Sequence, residues 1–316
     1  MNYLITGHSG FVGQHLIREL KRNKNSKIYG LSRSKGKEEI NEFFSIDVCK
    51  QKNKLISILK KIKPDVIFHL AGQSDPKISK ENPELTIYTN VVGTMNILES
   101  VKEVNKEIRV ILFGSAEEYE YQSKKNSIRE HTNIMPANPY GISKATSYFL
   151  SRHFSKEEKL DIVYISPFIQ IGPGQKTNSF VANVCAQIVE AENGGNKEII
   201  TGDISSERDF IDVRDSVKAF VKLSEKGKSG ERYIVASGKL TKSKSILSIL
   251  FKMANVKLGH KVNINIFEPG NRLFIYGSIE KTMKEINWKP QIDIEATLMS
   301  CLLWQRSQKG FYYEKK

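Results

Sequence analysis

Apolar and polar positions along the first half of the chain fall into two alternating rhythms. Short runs rich in β-branched and aromatic residues, "NYLITG", "KIYGLSR", "FFSID", "DVIFHLAG", "RVILFGS" and "DIVYISPF", predict strands. Between them lie stretches of helical period. Phe11, His15, Leu16 and Leu20 share one face of "FVGQHLIRELKRN", "LISILKKI" repeats the pattern, and a long helix follows Pro83 through "TIYTNVVGTMNILESVKEV". A further helix starts near Asn138-Pro139, an N-cap residue followed by a proline suited to the first helical position. "DVIFHLAG" is apolar at nearly every position, as a strand covered on both faces must be. Strands alternating with helices predict a parallel, doubly wound α/β sheet. Beyond about residue 168 the rhythm loosens, with Gly/Lys/Ser breaks at 193–197, 226–230 and 238–244.

Gly7, Gly10 and Gly13 stand at the turn from the first strand into the first helix. Glycines there let the backbone approach a pyrophosphate, while the helix N-terminus supplies N–H donors and partial positive charge. The triplet alone is weak, but its place between strand and amphipathic helix predicts a dinucleotide site in a Rossmann sheet. We therefore expect a cofactor domain over 1–168, to which the chain returns around 205–225. A smaller, partly interleaved α/β substrate domain is expected over 169–316. After the second strand the chain reads "LSRSKGK", with no acidic residue to bind ribose hydroxyls. Ser32 and Arg33 could instead pair with a 2′-phosphate, which points to NADP(H); an exposed arginine in a basic loop is the alternative. Asp47 and Val48 close the third strand, where the carboxylate could meet the adenine amino group or simply cap a helix.

The chain of 316 residues has 39% hydrophobic and 9% aromatic content, enough to bury a full core. The start "MNYLITGHSG" lacks the pattern of a secretory leader, and no apolar run reaches the ~20 residues of a membrane span. Cys49, Cys185 and Cys301 are isolated from one another, and the histidines show no metal-ligand spacing. A cytoplasmic protein with no metal site and no membrane partner is expected. The net charge of +14 raises the question of nucleic acid. Lysines are nevertheless spread evenly, with no zinc-finger or RNA-recognition signature, so we expect no nucleic-acid partner. A basic surface still suits an anionic substrate.

Tyrosine followed four residues later by lysine puts phenol and ammonium on one helix face. In a chain with 12 Tyr and 38 Lys, chance supplies roughly one to two such pairs. Tyr121/Lys125 lies in polar "YEYQSKKNS" and Tyr312/Lys316 in the charged terminal "FYYEKK", whereas Tyr140/Lys144 opens the helix capped by Asn138-Pro139. It also follows "FGSAEEY", at the carboxyl end of a strand, where ligands bind in parallel sheets. Ser115 there could share a substrate oxygen with Tyr140. A free phenol titrates near ~10, so a neighbouring ammonium and a cationic cofactor ring would ease its proton transfer at neutral pH.

"TGHSGFVG", "HLAGQ", "TNVVGT", "FGSAEEY", "NPYGISK", "IGPGQ" and "RDFIDVRD" resemble the extended short-chain dehydrogenase/reductases that act on nucleotide sugars. The resemblance runs almost the whole chain, to "INWKPQIDIE", and is nearest to GDP-6-deoxy-4-ketohexose reductases of the GDP-D-rhamnose type. It implies catalytic roles for Ser115, Tyr140 and Lys144. It places Phe11, Val12, Leu70, Ala71, Gly72 and Asn90, with Tyr140 and Lys144, around the cofactor. It assigns Gln73, Ser115, Glu117, Gln170, Arg208 and Arg272 to the substrate, Arg208 at the diphosphate. It also implies a homodimer through a four-helix bundle of the "TNVVGTMNILESV" helix and the Tyr140 helix.

Two departures stand out. Where the family usually has Arg-Pro-Phe-Asn, with the asparagine on substrate phosphates, this chain has Ser166-Pro167-Phe168-Ile169. Glu117 falls where 4,6-dehydratases carry the carboxylate that removes the C5 proton, with Ala116 beside it. Glu117 can therefore be read as a dehydratase base or as a ligand of a substrate hydroxyl. The expected activity is NADPH-dependent reduction of the C4 ketone of a nucleoside-diphosphate 6-deoxy-4-ketohexose, GDP being the nucleotide. The alternatives are an NDP-sugar 4,6-dehydratase, then a 4-epimerase, and outside enzymes a catalytically inactive protein that senses NADP(H).

Overall fold

The structure, a computed structural model, describes residues 1–120, 126–263, 266 and 274–308. The first half runs β1 (Asn2–Thr6), α1 (Phe11–Leu20), β2 (Lys27–Ser32), β3 (Glu42–Ser45), α2 (Lys52–Ile62) and β4 (Val66–His69). It continues through two short helices, α3 (Pro76–Glu81) and α4 (Pro83–Ile87), a π-helical turn at Tyr88–Val92, then α5 (Gly93–Val104) and β5 (Arg109–Phe113). A 3-10 turn at Ala116–Glu118 precedes α6 (Pro139–Lys156), β6 (Ile162–Pro167) and β7 (Ile169–Ile171). Next come α7 (Phe180–Glu192), β8 (Glu198–Thr201), β9 (Glu207–Arg208), β10 (Phe210–Asp212), α8 (Val213–Lys226) and β11 (Arg232–Val235). The last elements are β12 (Thr241–Lys242), α9 (Ser243–Met253), β13 (Gly259–Val262), β14 (Phe274–Ile275), α10 (Glu280–Ile286) and α11 (Ile294–Ser307).

The predicted parallel, doubly wound sheet is present. Seven strands pair in the order β11-β6-β5-β4-β1-β2-β3, and every pairing within that sheet is parallel. The chain winds outward from β1 to β3, then crosses back to lay β4 against the free side of β1. At that reversal the loops after β1 and β4 part, leaving the crevice in which such sheets bind ligands. Each face of the sheet is covered. Leu16, Ile17 and Leu20 of α1 join Val217, Phe220 and Leu223 of α8 on one side. Leu55 and Leu59 of α2 join Ile97, Leu98 and Val101 of α5 on the other. Strands such as Val66–His69 are buried at every position because they have no solvent face, which is why they read as unbroken apolar runs.

A separate apolar cluster forms among α7, α9 and α11, from Val184, Ile188, Ile246, Leu250, Leu298 and Leu302. A polar tie joins α8 to the segment before α11. Asp215 on α8 is fully buried, and its Oδ2 accepts from the main-chain N–H groups of Gln291 (2.6 Å) and Ile292 (2.7 Å), while Lys218 lies 3.2 Å from Oδ1. Trp288 donates its indole N–H to the Asp215 carbonyl at 3.2 Å. One carboxylate therefore seats the segment leading into α11 against α8. Asp215→Ala should leave two buried N–H groups without acceptors and lower stability by about 3 kcal/mol. Urea unfolding followed by tryptophan fluorescence measures it; an unchanged midpoint would refute the role.

Candidate active site

Gly7 has φ +68°, a left-handed conformation open to glycine, and a Cβ on it would come within 2.7 Å of the Ala71 nitrogen. A Cβ at Gly13 would fall 2.7 Å from the carbonyl oxygens of Gly7 and His8. The turn thus lies flat against the β4 loop and against α1, with no side chain to keep a phosphate from its backbone. Phe11 and Val12 begin α1 at this cradle, beside Gly10. Residues Leu70, Ala71 and Gly72 form the opposite lip, where the Ala71 N–H is held by the Thr6 hydroxyl at 3.0 Å. The arrangement fits a pyrophosphate, with a helix N-terminus behind it.

The loop after β2 is folded down onto this cradle. The Gln14 carboxamide accepts from the N–H groups of Lys37 (2.9 Å) and Glu38 (3.0 Å), and His8 Nε2 accepts from Gly36. The Ser32 hydroxyl donates to the Ser34 carbonyl at 2.5 Å and touches Ser9, so it is already committed, whereas Arg33 stays exposed on the cleft wall. Asp47 lies beyond the end of β3 and caps the turn by accepting from Cys49 N–H at 2.9 Å; Val48 follows it on the wall.

Ser115, Tyr140 and Lys144 meet at the floor of this crevice. Ser115 leaves the carboxyl end of β5, caps the 3-10 turn through the Glu117 N–H at 3.2 Å, and hydrogen-bonds the Tyr140 phenol. Tyr140 and Lys144 occupy the first turns of α6. The Asn138 Oδ1 caps that helix through Gly141 N–H at 2.7 Å, and its Nδ2 donates to Glu117 at 2.7 Å. One asparagine thus starts the helix and fixes the carboxylate beside it. A Cβ at Gly141 would lie 2.2 Å from the Glu117 carbonyl, so α6 can approach this turn so closely only with glycine there.

The Lys144 ammonium donates to the Phe113 carbonyl at 2.8 Å and lies 5.8 Å from the Tyr140 ring centre. Desolvation draws its pKa down to about 8, against the opposing pull of Glu118. Tyr140 behaves differently from the activated phenol expected above. Burial pushes it well above its ordinary value, the Ser115 hydrogen bond works against that rise, and the charges of Glu117 and Glu118 reinforce it. The ammonium is drawn to the Phe113 carbonyl and does not offset the burial.

Asn90 is buried in the π-helical turn, away from the cleft surface. Its carboxamide accepts from Gln73 N–H (2.7 Å) and donates to the Gln73 carbonyl (2.9 Å) and the Ser143 hydroxyl (2.8 Å), tying the β4 loop to α6. Gln73 is on the wall, but its carboxamide binds Asp75 and Thr86. Glu117 lines the floor beside Tyr140. On the far wall, β7 pairs with β10 and presents Ile169 and Gln170, the latter with its Oε1 buried and unpartnered. Arg208 on β9 is buried there between β12 and β14. The neighbouring Asp209 holds the strand by accepting from the N–H groups of Ser237 (2.7 Å) and Gly238 (2.9 Å), and burial pushes its carboxyl up to about 6. Arg272 lies outside the described residues, as do Tyr121/Lys125 and Tyr312/Lys316. The cleft measures about 3260 Å³, several times the size of a pocket for one small ligand, and has room for two nucleotides.

Three buried groups escaped the sequence reading. His69 bonds Thr6 at 2.8 Å and is pushed down to about 3 by burial and by Lys144, so its ring is neutral. Glu118 and Arg232 form a polar layer behind Lys144. Residues widely separated in sequence assemble both, and no local spacing signals them.

The fold and site define an extended short-chain dehydrogenase/reductase. A profile of the GDP-mannose 4,6 dehydratase family matches residues 4–300, and the chain belongs to that family. It is 29% identical to GDP-6-deoxy-D-mannose reductase of Pseudomonas aeruginosa, over 76% of this chain and 79% of that one. It is 27% identical to dTDP-glucose 4,6-dehydratase of Haemophilus influenzae, over 96% and 97%. The solved structure of RMD from Pseudomonas aeruginosa, complexed with NADPH, superposes with a TM-score of 0.84 at 26% identity, covering 97% of this chain and 99% of that one. UDP-glucose 4-epimerase of Thermotoga maritima with UDP-glucose shares the fold at TM-score 0.86 and 23% identity, over 98% and 99%. The protein is thus an enzyme of the group that comprises nucleoside-diphosphate-sugar reductases, epimerases and dehydratases, with a nicotinamide cofactor.

Proposed function

We propose that the enzyme is an NADPH-dependent 4-ketoreductase acting on a GDP-6-deoxy-4-ketohexose in deoxysugar biosynthesis. The convergence of Ser115, Tyr140 and Lys144 at the floor of the crevice supports hydride and proton transfer at a sugar carbon, and the choice of reductase among such reactions rests on similarity. The likeness to GDP-6-deoxy-D-mannose reductase supports the choice of substrate. When bound, NADPH supplies the hydride for C4. The glycine cradle would hold its pyrophosphate, Arg33 its 2′-phosphate, Asp47 and Val48 the adenine side, and Lys144 the nicotinamide ribose. Ser115 orients the C4 oxygen by hydrogen bond, and Tyr140 passes its proton to that oxygen. A phenol held above its ordinary pKa is protonated throughout the neutral range, the form a proton donor needs. Arg208 would meet the substrate's diphosphate, and the Gln170 Oε1 would accept from one of its hydroxyls.

One observation favours a second reading. Glu117 is fixed by Asn138 beside Tyr140, where a dehydratase would carry its C5 base. The two differ in redox balance. A reductase consumes one NADPH per sugar, while a dehydratase takes hydride from C4 and returns it to C6. We expect stoichiometric NADPH oxidation with a GDP-6-deoxy-4-ketohexose, read by absorbance and product mass. Tyr140→Phe should lose ~10²–10⁴-fold in rate, and Glu117→Gln should stay within about tenfold. Loss of water from GDP-mannose without NADPH consumption, abolished in Glu117→Gln, would establish the dehydratase instead.

The cofactor choice rests on Arg33, exposed on the cleft wall where an acidic residue would favour NAD. A charge-assisted contact to the 2′-phosphate contributes ~1.5–3 kcal/mol, roughly ten- to hundredfold in affinity. Calorimetric titration should show that preference for NADPH over NADH, and Arg33→Ala should erase it. Equal affinities in the unaltered protein would overturn the assignment.

A homodimer completes the proposal. Ile142 and Phe149 of α6 are 46% and 59% exposed, and Leu85 and Tyr88 nearby are 45% and 41% exposed, an apolar face that a second copy could cover. Light scattering at micromolar concentration should give twice the chain mass, and Phe149→Glu should shift it to the monomer. A monomeric mass for the unaltered protein would refute the dimer.

A further inference from the structure

Two adjacent glutamates in "SAEEY" have opposite fates. Glu117 faces the cleft, while Glu118 is fully buried and turned away from it. Its Oε1 accepts from the Ser166 hydroxyl, which in turn accepts from Tyr119 at 3.2 Å, and its Oε2 accepts from the Tyr164 phenol at 2.8 Å. Burial pushes the Glu118 carboxyl up, and the Arg232 charge with the Ser166 and Tyr164 hydroxyls opposes that rise and favours the ionised form. Behind the carboxylate lies the buried Arg232 guanidinium, 3.5 Å from the Tyr148 ring centre and 5.0 Å from that of Tyr119. Nε and Nη1 of Arg232 make no hydrogen bond, and the guanidinium is favoured by Tyr119 and by the charge of Glu118. A Cβ at Gly114 would lie 2.5 Å from the Tyr164 oxygen and 2.7 Å from Glu118 Oε2, so the end of β5 must be glycine for this layer to exist.

The layer backs directly onto Lys144. The Tyr164 oxygen that meets Glu118 also lies 2.9 Å from the Lys144 carbonyl. Around the Lys144 side chain stand the Phe113 carbonyl on β5, Tyr140 on α6, the neutral His69 on β4, Glu118 on the 3-10 turn and, behind it, Arg232 on β11. Both glutamates act on Tyr140, whereas of the two it is Glu118 that acts on Lys144.

We infer that Glu118 is a positioning residue, a buried counter-charge held between Arg232 and Lys144 that keeps the Lys144 ammonium protonated at the cofactor and substrate cleft. The inference deepens the proposed reductase reading, in which Lys144 serves as a cation. Its sign follows from charge. Burial favours neutral lysine and Glu118 opposes that, so neutralising Glu118 lets Lys144 lose its proton at lower pH.

The test reads Lys144 without turnover, so that failure of the reductase reading leaves it intact. Trace acylation by acetic anhydride, quantified on the Lys144 peptide across pH, follows the fraction of free amine. The unaltered protein should reach half-reactivity near the value of about 8. Glu118→Gln should move that midpoint down by about one unit, as loss of a nearby opposite charge does. Glu118→Met, a second neutral variant, should move it the same way. Tyr164→Phe removes a hydrogen bond but keeps the charge and should leave the midpoint in place. In turnover, the alkaline limb of the pH–rate profile should shift with the Glu118 variants alone. A midpoint unmoved in both Glu118 variants, or moved equally in Tyr164→Phe, would overturn the inference and reduce Glu118 to a packing role.

Discussion

The hydrogen bond from the Lys144 ammonium to the Phe113 carbonyl joins the start of α6 to the end of β5. It places a helix-borne cation at the carboxyl edge of a strand, in the crevice opened where the sheet reverses its order between β1 and β4. Everything reactive is arranged about that joint. Ser115 lies two residues beyond Phe113 on the same strand exit, and Tyr140 one turn before Lys144 on the same helix. Asn138 and Asn90 each brace the joint from a different side, one through the cap of α6 and the other through Ser143. Glycine at 141 makes the approach possible, because a Cβ there would collide with the Glu117 carbonyl, while glycine at 114 leaves room for the Tyr164 ring and the Glu118 carboxylate.

Charge at this joint is kept in layers. The surface of the cleft carries Glu117, Arg33 and Arg208, while the layer beneath carries Glu118 and Arg232. A buried ion without a partner is costly, and these two are spaced by hydroxyls and aromatic rings that satisfy the carboxylate and stack on the guanidinium. The layer accordingly acts on the site through its field. A change in the charge of Glu118 reaches Lys144 and Tyr140 electrostatically.

The parts legible in the sequence were those whose signals are local. Gly7, Gly10 and Gly13 are set by a turn, and Tyr140 and Lys144 by one helical interval and a capping asparagine. "DVIFHLAG" announced a strand covered on both sides because its burial is uniform. Of the two glutamates of "SAEEY", the family resemblance singled out Glu117 and gave Glu118 no role. Which of them enters the core depends on Tyr164, Ser166 and Arg232, brought in by β6 and β11 from far along the chain. For the same reason Gln73 and Ser32 read as free ligands, whereas folding engages their side chains with neighbouring main chain.

Ser115, Tyr140 and Lys144 cannot by themselves distinguish reductase, epimerase and dehydratase, since the same proton relay at C4 serves all three. Discrimination must come from the wall opposite the cofactor. There β7 presents Ile169, 39% exposed, at the position where the family usually has an asparagine amide on the phosphates. An apolar side chain offers no donor, so the charge of a substrate diphosphate must be met elsewhere on that wall. Arg208, the residue we propose for it, lines that wall. Its strand is flanked by β12 and β14 and anchored by Asp209, so its place is fixed by main-chain hydrogen bonds. In that proposal, phosphate recognition would pass from an amide to a guanidinium on a paired strand and be concentrated in one charged group. Ile169 would then meet the substrate by apolar contact alone.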